Sequence, residues 1–142
     1  MIERVVFDTS TLVGAALKSG SKPHRALMLT LSSLTLCSCE QELAELTEVL
    51  NRGPFERYLT RCDRDGFLAL IRERAGKFWI GEIFGASLDP PCRDPKDNFI
   101  LVLAVAADAD LIVTSDQDLL VLNPWRGIPI LTPAQFLAQF AV

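Results

Sequence analysis

Residues 4–12 read RVVFDTSTL and residues 111–120 read LIVTSDQDLL. Each holds three successive apolar residues, Val5–Phe7 in the first and Leu111–Val113 in the second, and then turns polar and acidic at Asp8 or at Asp116 and Asp118. A short apolar run of this kind predicts a buried strand. Two buried strands that both stop at aspartates raise the question of where those aspartates meet. In an open α/β sheet, ligands bind outside the carboxyl ends of the strands. Asp8 and Asp116 would both lie at such ends, and so can be neighbours in space although far apart along the chain.

The intervening sequence alternates strands with helices. Residues 9–18 and 23–33 read as helix, separated by the break GSKPH at 20–24, and 34–38 as a short apolar strand. EQELAELTEVLNRG, 40–53, starts acidic, carries an apolar stripe at Leu43, Leu46 and Leu50, and stops at Asn51-Arg52-Gly53. Residues 54–61 and 64–77 read as further helix, and 78–84 as a strand weakened by Gly81. Residues 95–107 are apolar on nearly every side, which predicts a buried helix. Residues 128–131 form a last strand, and Thr132 caps a final helix that has Pro133 at its first position. The pattern predicts an α/β protein with a largely parallel sheet. With no repeat or linker in 142 residues, one domain spanning 1–142 is expected.

Asp97 is a third acid of interest. Asp94-Pro95-Lys96-Asp97 fits a helix start, with Asp94 as N-cap and Asp97 near the positive end of the dipole. Each acid alone has that structural explanation. Caps need no common destination, however, and these three acids are expected to converge on one face. Unpaired carboxylates held close together repel, and a divalent cation relieves them. Oxygen-only ligation suits Mg²⁺ or Mn²⁺ better than zinc, and such an ion is suited to phosphodiester hydrolysis. A fourth acid is expected from the helix at 40–52. Glu40, Glu42, Glu45 and Glu48 are all candidates, and periodicity does not choose among them: Glu45 lies away from the leucine stripe and Glu42 flanks it.

Composition excludes several other classes. The chain has four cysteines without a C-x-x-C pair and one histidine, which excludes a zinc cage of finger-like spacing. Reduced, buried thiols are the expectation. Ser10 and Ser115 have no histidine base, so serine nucleophilic catalysis is unsupported. His24 reads as a surface residue at a helix start. Trp79 and Trp125 read as packing residues, with base stacking the lesser alternative. No signal peptide is visible. The longest apolar run, 99–107, is about half of a membrane span, so a soluble, cytoplasmic protein is expected. A formal charge of −4 runs against nucleic-acid binding. Yet residues 52–77 hold seven of the fourteen basic residues against four acids, leaving that stretch at +3. A solvated helix face is the simpler explanation; a nucleic-acid rim is the other.

Four pieces in order, VVFDTSTLV (5–13), ELAELTEVLNRGPFERYL (42–59), CRDPKDNFILVLAVAADADLIVTSDQDLL (92–120) and IPILTPAQFL (128–137), resemble the PIN domain family, in particular bacterial PIN-type toxins of toxin–antitoxin pairs. The resemblance covers essentially the whole chain. It implies a three-layer sandwich, a central parallel sheet between helices. It also implies a Mg²⁺- or Mn²⁺-dependent endoribonuclease acting on single-stranded RNA and leaving 5′-phosphate and 3′-hydroxyl ends. The family's acids fall on Asp8, Glu45, Asp97 and Asp116, with Asp94 and Asp118 nearby and Thr9, Ser115 and Asn98 at supporting polar positions. Arg93 and Lys96 are candidates for phosphate contact. A cognate antitoxin and a homodimer or higher homo-oligomer are the partners implied. Two rivals remain: a non-catalytic PIN-like module that binds RNA or protein, and a phospho-receiver domain. The receiver wants a lysine after a late strand, and IPILTPAQF has none.

Overall fold

In a computed structural model of the chain, residues 2–80 and 98–140 are described, apart from the side chain of Glu56. Five strands form one sheet: β1 (Arg4–Phe7), β2 (Thr35–Ser38), β3 (Gly76–Lys77), β4 (Leu111–Val113) and β5 (Ile130–Leu131). Their order is β3-β2-β1-β4-β5, and every pairing is parallel. The helices are α1 (Thr9–Leu17), α2 (Lys22–Ser33), α3 (Glu40–Leu50), α4 (Arg61–Arg74), α5 (Asn98–Ala106), α6 (Gln117–Leu120) and α7 (Pro133–Phe140).

The central strands β1 and β4 are apolar over Val5–Phe7 and Leu111–Val113 because both faces of the sheet are covered. Side chains alternate between the faces. Val5, Phe7, Leu36, Leu111, Val113 and Leu131 enter one core with Leu12, Leu27, Leu43, Leu46, Leu50 and Phe136 of the helices. Val6, Cys37, Ile112 and Ile130 enter a second core with the apolar residues of α5 and with Trp125. Helix, sheet and helix therefore form three layers, and the α/β sandwich expected from the alternation is observed.

Several boundaries differ from the sequence reading. Residues 54–61 do not form an α-helix; Gly53–Arg57 make a short 3-10 turn instead, as a glycine followed by a proline favours at a chain break. The helix expected over 64–77 starts earlier, where the Thr60 hydroxyl accepts from Asp63 N, and ends at Arg74. Gly76 and Lys77 leave it to pair with Cys37 and Ser38 as the edge strand. That strand thus precedes the span expected at 78–84, of which residues 81–84 lie outside the described ones. Trp125 is fully buried as expected, whereas Trp79 is 83% exposed and is not a packing residue. Cys37 and Cys39 are buried free thiols. His24 sits in the first turn of α2, its Nδ1 accepting from Gly20 N.

The amino end of the sheet, where β1 and β4 begin, has its own lock. Asp110 Oδ2 accepts from the backbone N–H of Glu3 at 2.9 Å and of Arg4 at 3.0 Å. Arg4 donates in turn to Ala107 O at 2.9 Å. The two N–H groups hold the Asp110 carboxyl below its ordinary value. Asp110→Ala is expected to lower stability by on the order of 1–2 kcal/mol; a urea melt checks it.

That lock also orients α5. The helix ends at Ala106, close to the amino edge where β1 and β4 begin, so its run of nine residues, about 13 Å, carries Asn98 toward the carboxyl edge.

Candidate functional site

Asp8 ends β1 and is the N-cap of α1, with extended backbone angles and Oδ1 accepting from Thr11 N at 3.2 Å. Its other oxygen accepts from the Ser10 hydroxyl at 2.8 Å. The sequence folds this way because a strand that ends on an aspartate satisfies the first orphan N–H groups of the helix after it. Asp8 is only 3% exposed. Burial pushes its pKa up, and hydrogen bonds from Thr11, Ser10 and Thr114 pull it partly back.

On the adjacent strand the chain runs Thr114-Ser115-Asp116. Asp116 caps α6, its Oδ1 accepting from Asp118 N at 2.9 Å. Its own N–H donates to Thr114 Oγ1 at 2.9 Å, and Ser115 N donates to Thr11 Oγ1 at 3.2 Å. Two buried threonines, Thr11 and Thr114, therefore stitch the Asp8 turn to the Asp116 turn. The sequence reading named Thr9 and Ser115 as supporting polar residues and missed both of these. The register Phe7 opposite Val113 would have marked Thr114 as the neighbour of Asp8.

From the other side comes α3. Glu45 is exposed, beside a recess of about 190 Å³ that it lines with Thr9, Ser10, Val13 and Val49. Partial burial raises its pKa, and repulsion from Glu48 and Asp8 adds to this; the Thr9 hydroxyl and Arg52 work against it. Thr9 Oγ1 is buried with no closed hydrogen bond, so its help to Glu45 is a matter of proximity.

Glu42, one turn earlier, is the larger surprise. It is fully buried. One oxygen accepts from the Ser38 hydroxyl at 2.6 Å, while Oε2 has no partner. Burial drives its pKa well up, and repulsion from Asp8 and Glu45 adds to that. Sequence periodicity placed Glu42 only at the flank of the leucine stripe. Its partner there is Ser38 on β2, a contact that periodicity within one helix does not encode.

The carboxyl edge thus gathers Asp8, Glu42 and Glu45, with Asp116 across the threonine stitch. Asp94, Asp97, Arg93 and Lys96 lie outside the described residues. Asn98 opens α5 and is partly buried, and Asp118 is partly buried in the first turn of α6. Among the described residues, no three acidic, histidine or cysteine side chains stand close enough together to hold a metal ion. The donor chemistry nevertheless suits a hard divalent cation: the donors are all oxygens, two of the acids are buried, and one oxygen is orphaned. Neither Asp8 nor Glu42 has an ion pair among the described residues. A cavity of about 460 Å³ lies elsewhere, between α1, α2 and α4, and is lined by Ala16, His24, Met28, Tyr58 and Phe67 among others. No described helix is long and apolar enough to cross a membrane.

Compared with models of protein families, residues 4–118 match the PIN domain. A search of curated proteins gives no significant match.

Proposed function

The chain belongs to the PIN domain family, whose members are generally nucleases that use divalent metals, and from that premise we propose that it is a Mg²⁺- or Mn²⁺-dependent endoribonuclease of single-stranded RNA. The observation that carries this reading is the approach of Glu45 to Asp8 at the carboxyl edge of the sheet, beside the turn that leads from β4 to Asp116.

Asp8, Glu45, Asp97 and Asp116 are the acids assigned to the ion, directly or through water. A bound divalent cation lowers the pKa of a water and offsets charge on the departing 3′ oxygen. Asp8 cannot turn away from its post, because Thr11 N and the Ser10 hydroxyl fix both of its oxygens. Asp116 is held by the α6 cap and by the Thr114 hydroxyl. Glu45 is exposed, so its carboxylate is within reach of solvent water. Its carboxylate is therefore assigned the proton of the attacking water. Arg93 and Lys96 remain the candidates for phosphate contact. The basic stretch 52–77 is assigned as a rim, although four of its seven cations already pair with acids.

We assign the protein the toxin role of a toxin–antitoxin pair in the cytoplasm. Its partner, antitoxin or second copy, is placed at the face of α4 and the 3-10 turn. The 69% exposure of Tyr58 beside the cavity between α1, α2 and α4 supports that placement.

Asp116→Asn tests the catalytic reading. Asparagine caps a helix as well as aspartate does, so the fold should persist. Cleavage of single-stranded RNA with Mn²⁺ present should fall by about a thousandfold or more, as the loss of transition-state charge stabilisation implies. Cleavage at the wild-type rate by a folded variant would overturn the assignment.

A further inference from the structure

Trp79 stands 83% exposed just past the edge strand, the most exposed large apolar residue among those described. Its position is not arbitrary. Strand β3 lies two places from β1 in an all-parallel sheet, about 10 Å away at ordinary strand spacing. The pairings Val6–Cys37 and Cys37–Gly76 extend to put Phe78 level with Asp8, and Phe78 N donates to Ser38 O at 2.8 Å. Trp79 is thus one residue beyond the level of Asp8, on the same edge of the sheet as the acids.

Beside it is a cavity of about 410 Å³, lined by Cys39, Glu40, Gln41, Lys77, Phe78 and Ile80 as well as Trp79 itself. Two cations face one acid here: Lys77 Nζ and Arg72 Nη1 both lie 3.7 Å from Glu40. Among the described residues the immediate surroundings of Glu40 therefore hold one more cation than acid, in a chain of net charge −4. Gln41 adds an amide able to donate and accept.

An exposed indole, an adjoining recess, an amide and an excess of cationic charge match a nucleobase with its phosphate. A strand of RNA whose scissile phosphate lies at Asp8 has to leave across one side of the sheet edge. A span of about 10 Å brings a base one or two nucleotides away to the indole. We propose that Trp79 is the stacking platform for a base of single-stranded RNA flanking the cleaved bond, with Lys77 and Arg72 facing the backbone. This rests on the ribonuclease reading and adds a specificity-determining residue to it. Stacking tolerates every base, since each has a π-face, so the platform sets position along the strand more than sequence.

The two tryptophans make the test direct. Trp125 is fully buried and Trp79 is exposed, so acrylamide quenches Trp79 selectively. The full chain is mixed with a short oligoadenylate in EDTA, which keeps the RNA intact. The oligonucleotide should change the emission and shield it from acrylamide, and the Trp79→Ala protein should show neither effect. With Mn²⁺, Trp79→Ala should raise KM for single-stranded RNA about tenfold or more and affect kcat less, and Trp79→Phe should recover most of the loss. If the wild type cleaves RNA but Trp79→Ala matches its KM within twofold, the inference fails and the ribonuclease reading stands. If shielding grows with protein concentration alone, a second copy covers Trp79 and the inference fails. A wild type that neither binds nor cleaves RNA would remove both.

Discussion

Asp8→Asn is expected to give a protein that is more heat-stable than the wild type and no longer cuts RNA. Asparagine keeps the cap on α1, because its side-chain oxygen can still accept from Thr11 N. The Ser10 hydroxyl, now a donor to Oδ2, can turn and accept from the new amide. What disappears is a buried charge that repels Glu42 and Glu45. The net gain should be about 1 kcal/mol, which raises Tm by about 2–4 °C in a chain of this size. Catalysis should fall by about a thousandfold, because the lost charge is the one assigned to the ion. Calorimetry and a cleavage assay on the same preparation check both halves. A fall in Tm of several degrees would show that the Asp8 carboxylate stabilises the fold, and retained cleavage would remove it from the site.

Such a trade between stability and activity is what the sequence hinted at where its local rules conflicted. Val5–Phe7 and Leu111–Val113 announced buried strands, and the aspartates beyond them marked the carboxyl edge of the sheet, because apolar continuity and strand ends are properties of neighbouring residues. The capping of α7 was equally local: Thr132 and Gln135 exchange hydrogen bonds, backbone N–H to side-chain oxygen in each direction. What failed to show depended on distant pairing. Gly76 and Lys77 belong to a strand only because Cys37 and Ser38 offer them partners, and that contact overrides the helical pattern running up to them. Glu42 at the flank of the leucine stripe and Glu45 away from it were both left open by periodicity, yet Glu42 is buried and bonded to Ser38 while Glu45 stays exposed. Trp79 read as core because large aromatics usually are; an edge strand leaves one flank without a neighbour. The net charge of −4 is unevenly spread, and two cations of the basic stretch, Lys77 and Arg72, both lie 3.7 Å from Glu40.

The buried Glu42 should make the metal-free protein less stable as pH rises, in contrast to the usual behaviour of carboxylates. Its folded-state pKa lies well above the ordinary 4.5. The folded form therefore holds its proton where the unfolded chain has already lost it. The contribution is fully present below about pH 4.5 and is lost as pH climbs through the raised value. Asp8 and Glu45 are raised as well and act in the same direction. Asp110 is lowered and acts oppositely, but only at pH values below its ordinary 3.8, outside this window. Tm measured in EDTA should thus decline from about pH 5 upward. Glu42→Gln keeps an acceptor for the Ser38 hydroxyl and cannot ionise, so it should lose most of the slope and melt higher than wild type at pH 8. The gain there should be about 1–3 kcal/mol, the scale on which buried charges are outperformed by neutral replacements. Saturating Mn²⁺ should lift the wild type most at the alkaline end, since a cation bound only by the folded form stabilises it and favours charged carboxylates. If Tm rises with pH from 5 to 8 without metal, or if the glutamine variant keeps the wild-type slope, Glu42 is not the strained acid that its burial and orphaned oxygen make it.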